Sequence, residues 1–250
     1  MSIPAFSSAI ALACVAVFLA WPAPIVLSRA AWPARAPARA LILWQLIALA
    51  GGFSMIGALW LIFDAIFPAH PWLSAIPAAA LALYLIAHLV VTVVRFDRQR
   101  RRHLQLLLLL SEPDPTRKRT VVLDDSAPVA YCLPRGVGSV TVLSKGLFDA
   151  LDEDELAAVI AHERAHVEQR HEVLLVAFKA WRSALPWFPI AARAEVEVEA
   201  LVEMLADDHA RRTQPAAVLA RAILQVGSVQ AEAGTAGRSR QVDRFRRLAG

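Results

Sequence analysis

His162-Glu163-Arg164-Ala165-His166 sets two imidazoles four residues apart, with a carboxylate beside the first. On an α-helix such positions share a face, their Cβ atoms about 5–6 Å apart. Two imidazoles so placed can converge on one Zn2+ ion, each at about 2.0–2.1 Å. Glu163 is rotated about 100° around the axis from His162. Its carboxylate then faces a water at the ion rather than the ion itself, where a general base of hydrolysis must stand.

A catalytic zinc takes a third protein ligand and leaves a fourth position open. Downstream, the available donors are Glu195, Glu197, Glu199, Glu203, Asp207, Asp208 and His209. Glu203 and Asp207 stand at i and i+4 of an expected helix. Glu203 can bind the ion while Asp207, one turn on, accepts a hydrogen bond from the free ring nitrogen of a ligating histidine. Such a carboxylate fixes the tautomer and raises ligand basicity. Glu195, Glu197 and Glu199 read as a solvated acidic face. Glu203 fits that reading less well, because Leu201, Val202, Met204 and Leu205 surround it. Stabilising an oxyanion needs a further donor. His171 and His209 are candidates, although each reads more simply as a surface histidine.

The elements around the motif must position these groups. Asp152 with Glu155 three residues later is a capping box, so a helix should begin at about Glu153. Nothing in the sequence breaks it through His171. Upstream, two prolines within residues 111–116 end a leucine-rich juxtamembrane helix expected over 104–110. Residues 120–123, 129–133 and 139–143 are β-type runs joined by Pro/Gly turns, which makes two or three strands of a small sheet. The run 139–143 is the expected sheet edge, on which an extended substrate can add as a strand.

The first hundred residues are of another kind. The chain is 57% hydrophobic and 19% charged, with a mean hydropathy of +0.48. That is more apolar and less charged than a soluble globular chain. Residues 5–27, 40–63 and about 72–94 are three stretches without a formal charge, apart from the titratable His88. Each exceeds the roughly 20 residues a spanning helix needs. The first lacks Lys or Arg ahead of its apolar run and is long for a signal peptide, so an anchor is expected. Gly51, Gly52 and Gly57 can allow close helix packing in the second. Asp64 and His88 read as interfacial and neutral groups without a direct role.

Up to His103 there are eight Arg and two Asp, a balance of +6; the remainder carries 18 basic and 20 acidic residues, a balance of −2. The pI near 9.6 therefore reflects Arg flanks of an anchor and not a basic domain, which argues against nucleic acid as a partner. Arg29, Arg35 and Arg39 follow the first stretch, and Arg95, Arg98, Arg100, Arg101 and Arg102 follow the third. The positive-inside rule places both flanks in the cytoplasm and the N-terminus outside. Cys14 and Cys132 are too few for a disulfide framework and read as free thiols. The run Arg238 to Arg247 reads as a solvated basic helix end, with lipid headgroups as a second reading.

Ala130-Tyr131-Cys132-Leu133-Pro134, the run Val140 to Leu147 and the run Leu151 to Glu163 together resemble membrane-anchored gluzincin metallopeptidases. They are similar to the peptidase unit of the beta-lactam-sensing antirepressor signal transducers. They also look like the CAAX prenyl protease and heat-shock membrane protease family. The resemblance covers residues 129–212, and three preceding spans fit the antirepressor group better. It implies His162, His166 and Glu203 as zinc ligands, Glu163 as base and Asp207 as support behind a ligand. It does not reach the outer sensor domain of many antirepressors, so a beta-lactam signal is not expected. Related heat-shock proteases place a span between the motif and the third ligand. Here residues 173–190 hold Lys179 and Arg182, at about 2.5–3.5 kcal/mol each in a helix centre. A surface helix with Trp181, Trp187 and Phe188 at headgroup level, or a plain core helix, is expected instead.

The sequence thus leads to a mostly α fold: a three-helix transmembrane anchor, then an α+β zincin-like peptidase with a small sheet. The expected boundaries are 1–103 for the membrane domain and 104–250 for a cytoplasmic peptidase domain. The expected function is zinc-dependent hydrolysis of peptide bonds in a protein substrate at the cytoplasmic membrane face of a bacterium, with one zinc per chain. The substrate can be a repressor, as in signal transduction, or the chain itself near residues 113–119. The alternatives are a quality-control protease and a non-catalytic scaffold with a structural zinc. An intact Glu163 argues against the last, since a structural site has no use for a base. The partners are a protein or peptide and the lipid bilayer.

Overall fold

The computed structural model describes residues 3–134, 138–186, 189–232, 244–245 and 247–248. Its helices fall in two compact units, one built from residues up to Phe96 together with Leu175–Leu201, the other from Asp97–Leu174 and residues from Val202 onward. A single cut after residue 103 does not describe this division, because a stretch far along the chain belongs with the first unit.

The first unit holds α1 (Ile3–Ala20), α2 (Pro22–Arg29), α3 (Pro37–Ile66) and the first part of α4 (Pro71–Leu110). Ser7–Arg29, Pro37–Ile66 and Trp72–Leu110 are long and apolar enough to cross a membrane. An apolar helix satisfies every backbone polar group within itself, which is why such sequences form helices in lipid. The first stretch is not one uninterrupted helix: Trp21, ahead of Pro22 and Pro24, separates α1 from α2. Large side chains such as Val26, Phe53 and Leu83 point outward, as a lipid-facing surface requires. α1 packs along α3, where Gly57 leaves room for Leu12.

The later residues of this unit come from α7 (His171–Ala184) and α8 (Pro189–Ala210). Trp181 fits against Gly52, where a Cβ would stand 3.1 Å from its ring. Tyr84 Oη donates to the Ala184 carbonyl at 2.7 Å, and His88 Nδ1 meets Ser183 Oγ at 3.0 Å. α7 therefore packs on helices of the first unit rather than lying free on a surface; Trp187 and Phe188 lie outside the described residues. Its charges are matched: Lys179 Nζ lies 5.5 Å over the Phe96 ring, and Arg182 pairs with Glu195 at 3.0 Å. Asp64 accepts from Ser74 Oγ at 3.3 Å.

In the second unit, the expected helix over 104–110 is the end of α4, which runs unbroken to Leu110. The proline-rich segment then starts a four-stranded sheet of β1 (Ser111–Pro113), β2 (Thr120–Leu123), β3 (Ala130–Pro134) and β4 (Ser139–Ser144). Its order is β1-β2-β4-β3. β2 and β4 are parallel, with Val122 opposite Leu143; β3 and β4 are antiparallel, with Cys132 opposite Thr141. The run 139–143 is thus an interior strand and not the expected edge. β3 occupies that edge, and β4 is interior because both of its sides are hydrogen-bonded, which agrees with its nearly complete burial.

Ser144 ends β4 and caps α5 (Lys145–Ala150): its Oγ accepts from the Leu147 amide at 3.2 Å and donates to the Ala127 carbonyl at 2.6 Å. At Gly146 a Cβ would collide with the Ser126 carbonyl. Leu143, Leu147, Leu151, Leu156 and Ala222 form one buried cluster, bringing β4, α5, α6 (Glu153–Glu168) and α9 (Ala216–Glu232) together. A fully buried leucine contributes about 1.5–3 kcal/mol over an exposed one. α6 begins where the sequence places it, with both bonds of the Asp152–Glu155 capping box formed. It does not continue through His171. Arg170 takes the left-handed conformation, φ 51°, ending α6 at Glu168 and starting α7 at His171.

Candidate metal centre

α6 presents His162 and His166 from one face, and α8 presents Glu203 opposite them. His162 Nε2 and His166 Nε2 are 3.2 Å apart. Glu203 Oε2 lies 3.4 Å from the first, and Glu203 Oε1 lies 3.4 Å from the second. One donor atom from each residue falls within 4.8 Å of the others. A tetrahedral ion with bonds of about 2.0–2.1 Å separates its ligand atoms by about 3.3–3.4 Å. The two imidazole nitrogens stand close to that spacing, the carboxylate offers one oxygen towards each of them, and two imidazoles with one carboxylate are a donor set that suits zinc.

Each ring is held from behind. His162 Nδ1 is 3.0 Å from Asp207 Oδ1. A carboxylate only accepts, so Nδ1 carries a proton, and Nε2 is the ring atom turned towards His166 and Glu203. His166 Nδ1 is 3.1 Å from His171 Nδ1. His171 is 1% exposed, so it is not the surface histidine the sequence suggests. His209 meets Gln169 Nε2 through Nδ1 at 2.9 Å and Glu168 through Nε2 at 3.1 Å.

Arg244 is the residue that sequence reasoning missed most clearly. Its Nε and Nη2 donate to the two oxygens of Asp207 at 2.8 and 2.6 Å, and Nη1 lies 2.9 Å from Glu203 Oε2. Arg247 donates to Asp208 at 2.6 Å and to the Met204 carbonyl at 3.2 Å, while Leu248 is buried with Ala158, Ala210, Leu219 and Ala220. These residues of the basic run therefore clasp α8 instead of forming a solvated end. The available signal was the acidic set Glu203, Asp207 and Asp208, which needs cations, together with two arginines three residues apart on one helical face. Glu195 is likewise no solvated charge: it is buried and paired with Arg182. Glu197 and Glu199 lie half-buried on α8.

These contacts set the proton affinities. Burial raises the Glu163 carboxyl to about 7, with Glu203 adding to the rise. Burial also opposes charge on Glu203, but the hydrogen bond from His162 and the nearby Arg244 hold it down at about 2. Asp207 is likewise lowered: burial opposes its charge, and bonds from Arg244 and His162 prevail. Burial disfavours the cationic form of His162, yet its bonds to Asp207 and Glu203 outweigh this and raise it to about 9. His166 and His171 are both pushed down to about 4, mainly by burial.

A cavity of about 250 Å3 opens beside these groups. His162, Glu163, Glu203 and Arg244 form its polar end; Val129 and Ala130 at the start of β3, with Leu147, Leu219 and Ile223, form its apolar end. A base at neutral poise, a donor set for a dication and a strand edge beside an apolar recess can together hydrolyse an acyl bond.

Comparison with known proteins agrees with this chemistry. Residues 96–235 match the family model of peptidase family M48. Over 75 residues the chain is 36% identical to the Protease HtpX homolog of Salinibacter ruber (strain DSM 13855 / M31), covering 30% of this chain and 24% of that protein. The matched segment spans about a quarter of that curated relative's length. No solved structure matches the chain.

Proposed function

Because the chain belongs to peptidase family M48, we propose that it is an integral-membrane zinc endopeptidase that cleaves a protein substrate at the cytoplasmic membrane face. The observation that carries this reading is the donor set of His162, His166 and Glu203, whose ligand atoms, one from each, lie within 4.8 Å of one another. These three residues would hold one zinc ion. When bound, zinc supplies Lewis-acid polarisation of the scissile carbonyl and of water. Asp207 keeps the His162 proton on Nδ1, and Arg244 holds Asp207 in place for that task. Glu163 takes a proton from the attacking water and delivers it to the leaving amine. The β3 edge aligns the substrate backbone by strand addition, and the apolar recess beside it receives a side chain.

The membrane orientation follows from the Arg flanks: N-terminus outside, peptidase residues inside. Residues 104–250 carry the peptidase chemistry on this reading, with 175–201 serving the membrane unit. Three apolar segments support a bilayer as the lasting partner. A repressor, a membrane protein under quality control and the chain itself are the substrate classes that fit a cytoplasmic site at the bilayer.

The test uses the full chain in detergent micelles with an unstructured polypeptide as substrate. Glu163→Gln should retain one zinc per chain and lose cleavage. Retained turnover in that variant would reject Glu163 as the base.

A further inference from the structure

His166 and Glu168 are the two ends of a chain of hydrogen bonds that includes no backbone group. From His166 Nδ1 it runs 3.1 Å to His171 Nδ1. From His171 Nε2 it runs 2.8 Å to Gln169 Oε1, and from Gln169 Nε2 2.9 Å to His209 Nδ1. His209 Nε2 ends it at Glu168 Oε2, 3.1 Å away, on a side chain half open to solvent.

The left-handed Arg170 makes this possible. A helix continued through residue 171 would carry that side chain onward around the axis. The break instead sets Gln169 and His171 beside the end of α6, where His209 from the last turn of α8 meets them.

The far end sets the direction of every bond. The Glu168 carboxylate can only accept, so His209 Nε2 carries the hydrogen. In the neutral ring Nδ1 then accepts, and the Gln169 amide nitrogen donates to it. Gln169 Oε1 accepts in turn from His171 Nε2–H. That leaves His171 Nδ1 as an acceptor, and its partner must be His166 Nδ1–H. The His166 Nε2 lone pair is thereby left free, 3.2 Å from His162 Nε2.

We infer that His171, Gln169, His209 and Glu168 form a one-directional relay that fixes the tautomer and ring orientation of His166. His171 is its positioning residue, as Asp207 is for His162. The relay rests on the zinc reading above and adds to it a means of presetting the second imidazole without a direct carboxylate. Partners of this kind are worth about 10–100-fold in metal affinity.

Two measurements test it. Nitrogen-15 NMR of the metal-free full chain, labelled at histidine, should show His166 protonated on Nδ1 and bare on Nε2. A His166 proton on Nε2 would overturn the relay whatever binds there. Zinc affinity is then measured by chelator competition. His171→Phe should weaken it about 10–100-fold. His171→Asn, which can accept from His166 and donate onward, should recover most of that loss. Gln169→Leu, which can neither accept from His171 nor donate to His209, should weaken zinc affinity as well. Equal affinity in wild type and His171→Phe, or no recovery in His171→Asn, would overturn the inference. Absence of zinc binding in the wild type would instead overturn the zinc reading, with the tautomer still deciding the relay.

Discussion

Asp207 is 1% exposed and carries three short contacts, two from Arg244 and one from His162. Removing Arg244 leaves that buried carboxylate with one of these three contacts. Arg244→Ala should therefore destabilise the full chain by about 3 kcal/mol, read from thermal unfolding in micelles. Arg244→Lys should restore little, because a point charge cannot replace a two-pronged guanidinium. Full recovery with lysine would show that charge alone matters there. At Glu163 the expectation concerns pH. A general base works only when ionised, so activity falls as pH drops through its pKa. Burial sets that value at about 7, and a nearby cation can only lower it. The acid limb of kcat/KM should lie at or below pH ~7 and vanish from any residual activity of Glu163→Gln. A limb well above pH ~8 would point to another base. The motif itself was legible from residue types and spacing. Arg244 was not, because it stands 41 residues beyond Glu203 and 82 beyond His162 and no local pattern links them.

Elements were legible where their signals are local. The Asp152–Glu155 box placed the start of α6, and β-branched runs placed β2 and β4 to within a residue. Asp152→Ala should cost about 1 kcal/mol. Strand order was not legible, since alternation along a strand says nothing of its neighbours; the order β1-β2-β4-β3 comes from the parallel pairing of β2 with β4. The end of α6 was missed for a different reason. Arg170 adopts a left-handed conformation without being glycine or asparagine, so no sequence signal announces it. Gly146 makes a sharper test of the β4–α5 corner. Gly146→Ala drives a methyl into the Ser126 carbonyl and should lower the unfolding midpoint more than Gly51→Ala, where the nearest contact is an ordinary 3.9 Å. An equal loss at both positions would contradict the packing described for the corner.

At the scale of the whole molecule, hydropathy located all three apolar helices, and charge asymmetry suggested how they lie across a bilayer. What it could not show is that Leu175–Leu201 belongs with them. The reason is pairwise: Lys179 and Arg182 look costly alone, but Phe96 and Glu195 answer them. Orientation is open to a direct check. A cysteine at Ala69, between the second and third spans, should react with an impermeant maleimide added outside intact cells, and one at Arg98 should not. The reverse pattern would invert the topology. The claim on which the rest stands is narrower, that two histidines of α6 and one glutamate of α8 hold one zinc. X-ray absorption at the zinc edge of the loaded chain, with metal per protein counted alongside, addresses it most directly. Wild type should bind one zinc with two imidazoles and carboxylate oxygen at about 2.0–2.1 Å, and Glu203→Ala should lose the metal on dialysis. Unchanged stoichiometry in Glu203→Ala, or a wild-type spectrum with a single imidazole, would contradict it.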